Sequence, residues 1–213
     1  MASPLSPRGK AWAFAALLVP FLVNDLANIF VSDFASWAAL DYLSRGLPLA
    51  VATWLLRTGR LSRADLGLTF PGWPAFWGHT LVLCLFAAVM ITAGENLVAR
   101  LVPDLALGGY PIDEGTPLYF YDLIFGLAIV AVSEEVLSRG LACAALTGLW
   151  GRRAVPVFLV SAAIFALLHW SGGPRSLVVA FVFGLAFMAT PWRTGSVLPP
   201  IVAHYLADVI AFW

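Results

Sequence analysis

The sequence predicts an all-α protein, a polytopic transmembrane helical bundle of about seven spans, and three observations predict it. The first is composition: of 213 residues, 61% are hydrophobic and only 11% charged, and the mean hydropathy is +0.89. A soluble domain carries about 25% charged residues, so this chain lacks the polar surface that a water-soluble enzyme of its size needs. The second is that the apolar residues gather into runs long enough to cross about 30 Å of hydrocarbon, roughly 20 residues each and fewer where protein shields the ends. The third is the placement of tryptophan and arginine around those runs.

The runs are 11–31, 37–56, 76–94, 118–146, 155–170, 177–190 and 197–213. The first follows Arg8 and Lys10 and stays apolar past Asn24 and Asp25 with no clear small-residue cleavage site, so it reads as a span rather than a cleaved signal peptide. Asn24, Asp25 and Asn28 read as bundle-facing hydrogen-bonding residues. The second run holds Asp41 and Arg45 four residues apart on one helix face, a structural ion pair. Pro71, Gly72 and Pro74 mark a loop before the third. The last four runs are joined by connectors of a few residues, which forces neighbouring antiparallel helices. Residues 1–213 therefore read as a single integral membrane domain with its motif-bearing core at 118–213.

All nine tryptophans (Trp12, Trp37, Trp54, Trp73, Trp77, Trp150, Trp170, Trp192 and Trp213) fall at or near run ends, where an indole prefers the headgroup layer. Arg8, Lys10, Arg57, Arg60, Arg63, Arg152, Arg153 and Arg193 fall on one side and Arg100 and Arg175 on the other. That asymmetry puts the N-terminus in the cytoplasm and the C-terminus outside. Twelve Lys+Arg balance twelve Asp+Glu, which leaves no electrostatic footprint for nucleic acid. Cys84 and Cys143 lie in apolar runs without partners at metal or redox spacing and read as packing residues. His79 reads as interfacial.

An ionisable side chain at mid-bilayer costs about 2.5 kcal/mol or more, so each one is a functional hypothesis. The fourth run carries Ser133, Glu134, Glu135 and Arg139, the fifth His169, and the seventh His204 and Asp208. Glu135 and Arg139 share a helix face and can pair. Glu134 projects about 100° away and needs a partner on another helix, for which His169 and His204 are the natural choices. Phe165 sits four residues before His169, and His204 four before Asp208, so each pair can touch. Gly140, Ala142, Ala144 and Ala145, with Ser161, Ala162 and Ala163 and with Ala203 and Ala207, let these helices approach closely.

A buried Glu beside a His can take a proton from water and return it to a leaving amine. A Glu with two His can instead hold zinc with one position open. Both remain open from the residues alone. Ser138 has no assignable base or oxyanion hole, which disfavours a seryl enzyme. A proton-coupled transporter would also string Glu, His and Asp across helices, but it predicts internal repeats and a polar path that are not seen. A non-catalytic immunity or scaffold protein is the third class.

EEVLSRG at 134–140 resembles the EExxxR motif, FALLH at 165–169 the FxxxH motif and HYLAD at 204–208 the HxxxN/D motif of the CAAX protease and bacteriocin-processing (CPBP, Abi) intramembrane endopeptidases. The resemblance covers 118–213 and implies an enzyme that cuts a peptide or protein near the lipid bilayer. It implies Glu134 as general base, His169 as its partner and His204 as oxyanion donor, with Glu135, Arg139 and Phe165 in support. The family is often labelled a metalloprotease; zinc, if present, would rest on Glu134, His169 and His204, whereas a metal-free glutamate mechanism is the better supported implication. Two positions depart from the pattern. Ser138 replaces the usual Phe before the arginine, and Asp208 replaces the terminal Asn. An ionised Asp208 would repel an oxyanion, so it must be protonated, orient His204 or bind a metal. Relatives act on prenylated CAAX tails, bacteriocins or membrane-anchored sorting tails. The Arg- and Ala-rich, Lys-poor composition points to a bacterium, and so to its inner membrane.

Overall fold

Seven helical rods make up most of residues 3–213, the part of the chain that the computed structural model describes. They are α1 (Pro7–Phe30), α2 (Phe34–Arg57), α3 (Trp73–Leu101), α4 (117–150), α5 (Ala154–Leu167), α6 (Trp170–Thr194) and α7 (Leu198–Phe212). Among the described residues there is no strand. By length and apolarity α1, α3 and α6 can each cross a membrane, and α5 and α7 are shorter apolar helices.

Local chemistry sets the boundaries. Ser6 Oγ accepts from the Gly9 N–H at 3.1 Å with Pro7 in the first helical position, and Asp33 Oδ1 accepts from the Ser36 N–H at 2.8 Å. Gly151 ends α4 and Gly195 ends α6 with positive φ, a conformation that costs glycine nothing. Within α1 the chain breaks its helical bonding at Asp25 and Leu26. Both α3 and α4 contain π-helical turns, Met90–Gly94 in the first and Asp122–Gly126 and Val136–Leu141 in the second.

Two boundaries differ from the apolar runs. α3 continues to Leu101 rather than stopping near residue 94, because no proline or left-handed glycine interrupts the chain there. α5 stops at Leu167, before the apolar run does, so His169 lies in a turn (φ −123°, ψ 26°) rather than within the helix. The 3₁₀ turn Trp170–Gly172 opens α6, and Gly173, at φ 71°, redirects the chain into its α-helical part.

The rod ends sort into two layers. At one end the Leu5 N–H donates to the Arg60 carbonyl at 2.9 Å and Lys10 pairs with Asp65. The Val197 N–H bonds the Gly67 carbonyl there at 2.9 Å, and Arg152 bonds the Trp192 carbonyl at 2.8 Å. At the other end the Leu107 N–H donates to Ser171 O at 2.7 Å, Arg175 to Val102 O at 2.9 Å and the Tyr119 hydroxyl to Phe212 O at 2.6 Å. Successive rods thus run in alternating directions, with Arg8, Lys10, Arg57, Arg60, Arg63, Arg152, Arg153 and Arg193 at the first end and Arg100 and Arg175 at the second.

Polarity is inverted relative to a soluble protein. α3 exposes Trp73, Trp77, Leu81, Val82, Leu85 and Val89, whereas Ser133, Glu134, Glu135, Ser138 and Arg139 of α4 are buried. Small residues permit this packing: the α-carbon of Ala162 would lie 2.8 Å from a Cβ added at Gly184, and a Cβ at Gly140 would overlap the Leu66 carbonyl. Trp37 is not part of an aromatic belt; it is buried and its indole N–H donates to Asn28 Oδ1 at 2.7 Å. His79 contacts the Thr190 hydroxyl at 3.2 Å. Cys84 and Cys143 are free thiols, half-buried among apolar neighbours.

Three outcomes follow for stability. Gly140→Ala is expected to cost about 1–3 kcal/mol through overpacking. Gly46→Ala, where an added Cβ meets nothing within 4 Å, is expected to gain about 0.5–1 kcal/mol from the helical backbone; unfolding in detergent measures both. At Asp65, burial raises the carboxyl, but hydrogen bonds from Lys10 and Ser62 outweigh it and hold the group below the ordinary carboxylate range. A depressed native value contributes stability at neutral pH that is lost on acidification. Asp65→Asn therefore lowers Tm at pH 7, and the gap narrows below about pH 4.

Candidate functional site

Glu134 and Glu135 are consecutive on α4 and point to different neighbours, as helical geometry requires. Glu135 is fully buried, with its Oε1 3.2 Å from Arg139 Nη1 and accepting from His204 Nδ1 at 2.8 Å. A carboxylate can only accept, so that ring nitrogen carries the proton. The Arg139 guanidinium lies over the Phe165 ring at 3.6 Å, which replaces much of the hydration a buried cation loses. Glu135, Arg139, Phe165 and His204 thus form one packed unit drawn from α4, α5 and α7.

Glu134 faces the other way, towards a cavity of about 100 Å³, room for several water molecules. Its Oε2 lies 3.8 Å from His204 Nε2, and Asp208 Oδ2 lies 3.4 Å from the same nitrogen. His204 therefore has Glu135 on one ring nitrogen and Glu134 and Asp208 on the other. His169 lines the same cavity. Its Nδ1 donates to the Phe165 carbonyl at 3.0 Å, which leaves Nε2 as the nitrogen available to the site, and its ring packs 4.7 Å from that of Phe165. A second cavity of about 160 Å³, lined by Phe165, Phe183, Phe187 and Glu95, shares His169, His204 and Asp208 with the first. Those three side chains form the partition between the two.

The four residues singled out as catalytic in the sequence, Glu134, His169, His204 and Asp208, all line the first cavity. Ser138 is buried, and its hydroxyl has no hydrogen-bond partner in the protein. Sequence reasoning missed the nearest partner of Glu134. Arg45 Nη1 donates to Glu134 Oε1 at 2.6 Å, while Arg45 Nε bonds Asp41 at 3.0 and 3.2 Å. The Asp41–Arg45 pair exists, but it is joined to the site rather than apart from it. Asn24, Asp25 and Asn28 also line the cavity; Asn24 donates to Asp41 at 2.7 Å, and Asp25 accepts from the Ser171 N–H at 2.6 Å. Two ionisable residues inside one apolar run were the available signal for Arg45, and nothing in the spacing pointed to its third contact.

The zinc set Glu134, His169 and His204 is not gathered as a ligand cluster. Among the described residues no three His, Cys, Asp or Glu groups have metal-site spacing.

Residues 116–210 match the family model described as type II CAAX prenyl endopeptidase Rce1-like. The match takes in somewhat under half of the chain, and over that segment the chain is similar to the family. No curated protein and no solved structure matches the chain. The Rce1-like segment contains all three motifs and the whole Glu135–Arg139–Phe165–His204 unit, whereas Asn24, Asp41 and Arg45 lie outside it. That similarity points to a membrane-associated endopeptidase with a peptide or protein substrate. Because Arg139 balances a buried carboxylate, Arg139→Met is expected to destabilise the fold by about 3–5 kcal/mol, with partial recovery on adding Glu135→Gln; denaturant unfolding measures both.

Proposed function

We propose that the chain is an intramembrane endopeptidase that hydrolyses a peptide bond with a water activated by Glu134. The observation that carries the reading is the convergence of Glu134 from α4 with His204 and Asp208 from α7, through contacts within 4 Å at one cavity wall, inside an Rce1-like segment. With Oε1 taken by Arg45, Oε2 is the free oxygen of the carboxylate and has no hydrogen-bond partner in the protein. It takes a proton from water held with the help of His169 Nε2, and the hydroxide adds to the scissile carbonyl carbon. His204 Nε2, when protonated, donates to the resulting oxyanion. Glu134 then returns its proton to the leaving nitrogen, the C–N bond breaks, and a carboxylic acid and an amine result. Asp208 serves best by orienting His204, which answers its departure from the family's Asn.

We read all seven rods as spans, with the end that holds Arg8, Arg60 and Arg152 in the cytoplasm and the C-terminus outside. Both cavities lie nearer the outer layer, since His169 sits in the turn that joins Ser171 to Leu107. The substrate class that the family description supports is a prenylated CAAX tail, and bacteriocin-type or other C-terminal tails are the alternatives.

The test is cleavage of a prenylated CAAX peptide by the full chain in liposomes, alongside comparison of released and membrane-bound peptides from cells with and without the active protein. Glu134→Gln is expected to lower cleavage by at least roughly 100-fold while the protein stays folded. Normal cleavage by that folded variant would end the proposal.

A further inference from the structure

The N-terminal rods contain a polar chain that the Rce1-like segment does not include. Asn24 Nδ2 on α1 donates to Asp41 Oδ1 on α2 at 2.7 Å. Asp41 receives Arg45 Nε with both oxygens, at 3.0 and 3.2 Å. The guanidinium packs 5.2 Å from the centre of the Phe21 ring and extends Nη1 to Glu134 Oε1 at 2.6 Å. Asn24, Asp41 and Glu134 are all buried. The guanidinium is held at three points before it reaches α4, and a planar fork held in that way has little freedom left to move the oxygen it grips.

We infer that Arg45, anchored by Asp41 and Asn24, is a positioning residue for the hydrolysis: it fixes the rotamer of Glu134 and directs Oε2 alone at the water. The inference rests on the proposed protease reading and extends it to α1 and α2. Arg45 also borders the cavity, and it acts on the reaction through Glu134. Its contribution is geometric, and a displacement of about 1 Å at a reacting oxygen is enough to cost roughly 100-fold in rate. A lysine can carry the same charge but cannot grip Asp41 and Glu134 at once with fixed geometry.

Two measurements on the full chain in liposomes test this. In the first, cleavage of a prenylated CAAX peptide is followed for the unsubstituted protein and for Arg45→Lys, Arg45→Met and Asp41→Asn. Asp41→Asn retains the Arg45–Glu134 contact and loosens only the anchor, so it guards against misfolding of Arg45→Met. Expected is a fall in kcat of roughly 100-fold for Arg45→Met and about 10-fold for Asp41→Asn, with KM within about threefold and partial rescue in Arg45→Lys. A rise in KM at constant kcat, or no change in any variant, would overturn the inference.

The second needs no turnover. Tm is measured for Arg45→Met and Glu134→Gln singly and together. Coupling of the two, seen as a double variant no less stable than the weaker single one, supports the contact; additive losses overturn it. Coupled Tm values in a protein that cleaves nothing would count against the protease reading alone, whereas active protein with additive Tm values would count against Arg45 alone.

Discussion

A carboxylate carried into an apolar bundle is costly unless an opposite charge and enough hydrogen bonds accompany it, and two adjacent carboxylates double the demand. Glu134 and Glu135 are buried side by side, and the structure answers each from a different direction. Arg139 comes from the same rod, one turn along. Arg45 comes from α2, and His204 from α7 stands between the two acids. These contacts tie α2 and α7 to α4. The surrounding alanines and glycines permit the approach but carry no directional information of their own.

In the proposed hydrolysis, this division separates support from reactivity. Glu135 is engaged by two cationic or protonated groups and faces no cavity, as a structural acid should. Glu134 has one oxygen engaged and one without a partner, and its side chain lines a cavity with room for water. The difference arises from the angle between successive helical residues: one turns towards the packed α5 and α7 side, the other towards the space left among α1, α2 and α7. Two identical side chains thus meet different surroundings with no change in chemistry.

Much of this was legible in the sequence, for reasons that are local. Apolar runs gave the rods, and the four-residue spacings of Glu135–Arg139, Phe165–His169 and His204–Asp208 gave contacts that the structure contains. What stayed hidden depends on separation. Arg45 and Glu134 are 89 positions apart, and no periodicity links them. Trp37 looked like an interfacial anchor by position, yet a buried Asn28 drew its indole inward. The early end of α5 was concealed because Leu167, Leu168 and Trp170 remain apolar after the helical bonding has stopped. Glu95 escaped notice because the hydropathy falls at Gly94, although the backbone of α3 carries on.

The π-helical turn Val136–Leu141 begins directly after the two acids. Such a turn holds one residue more than an α-helix would over the same rise, the usual trace of a single inserted position. Counting along an ideal helix from the acids therefore misplaces everything beyond Leu141 by about a quarter of a revolution. A relative that lacks this extra residue would present the face of Ala142 and Ala145 at a different angle to α1. Alignments of the two should accordingly open a one-residue gap inside the motif's own helix, where a length-preserving comparison would pair residues that face different neighbours.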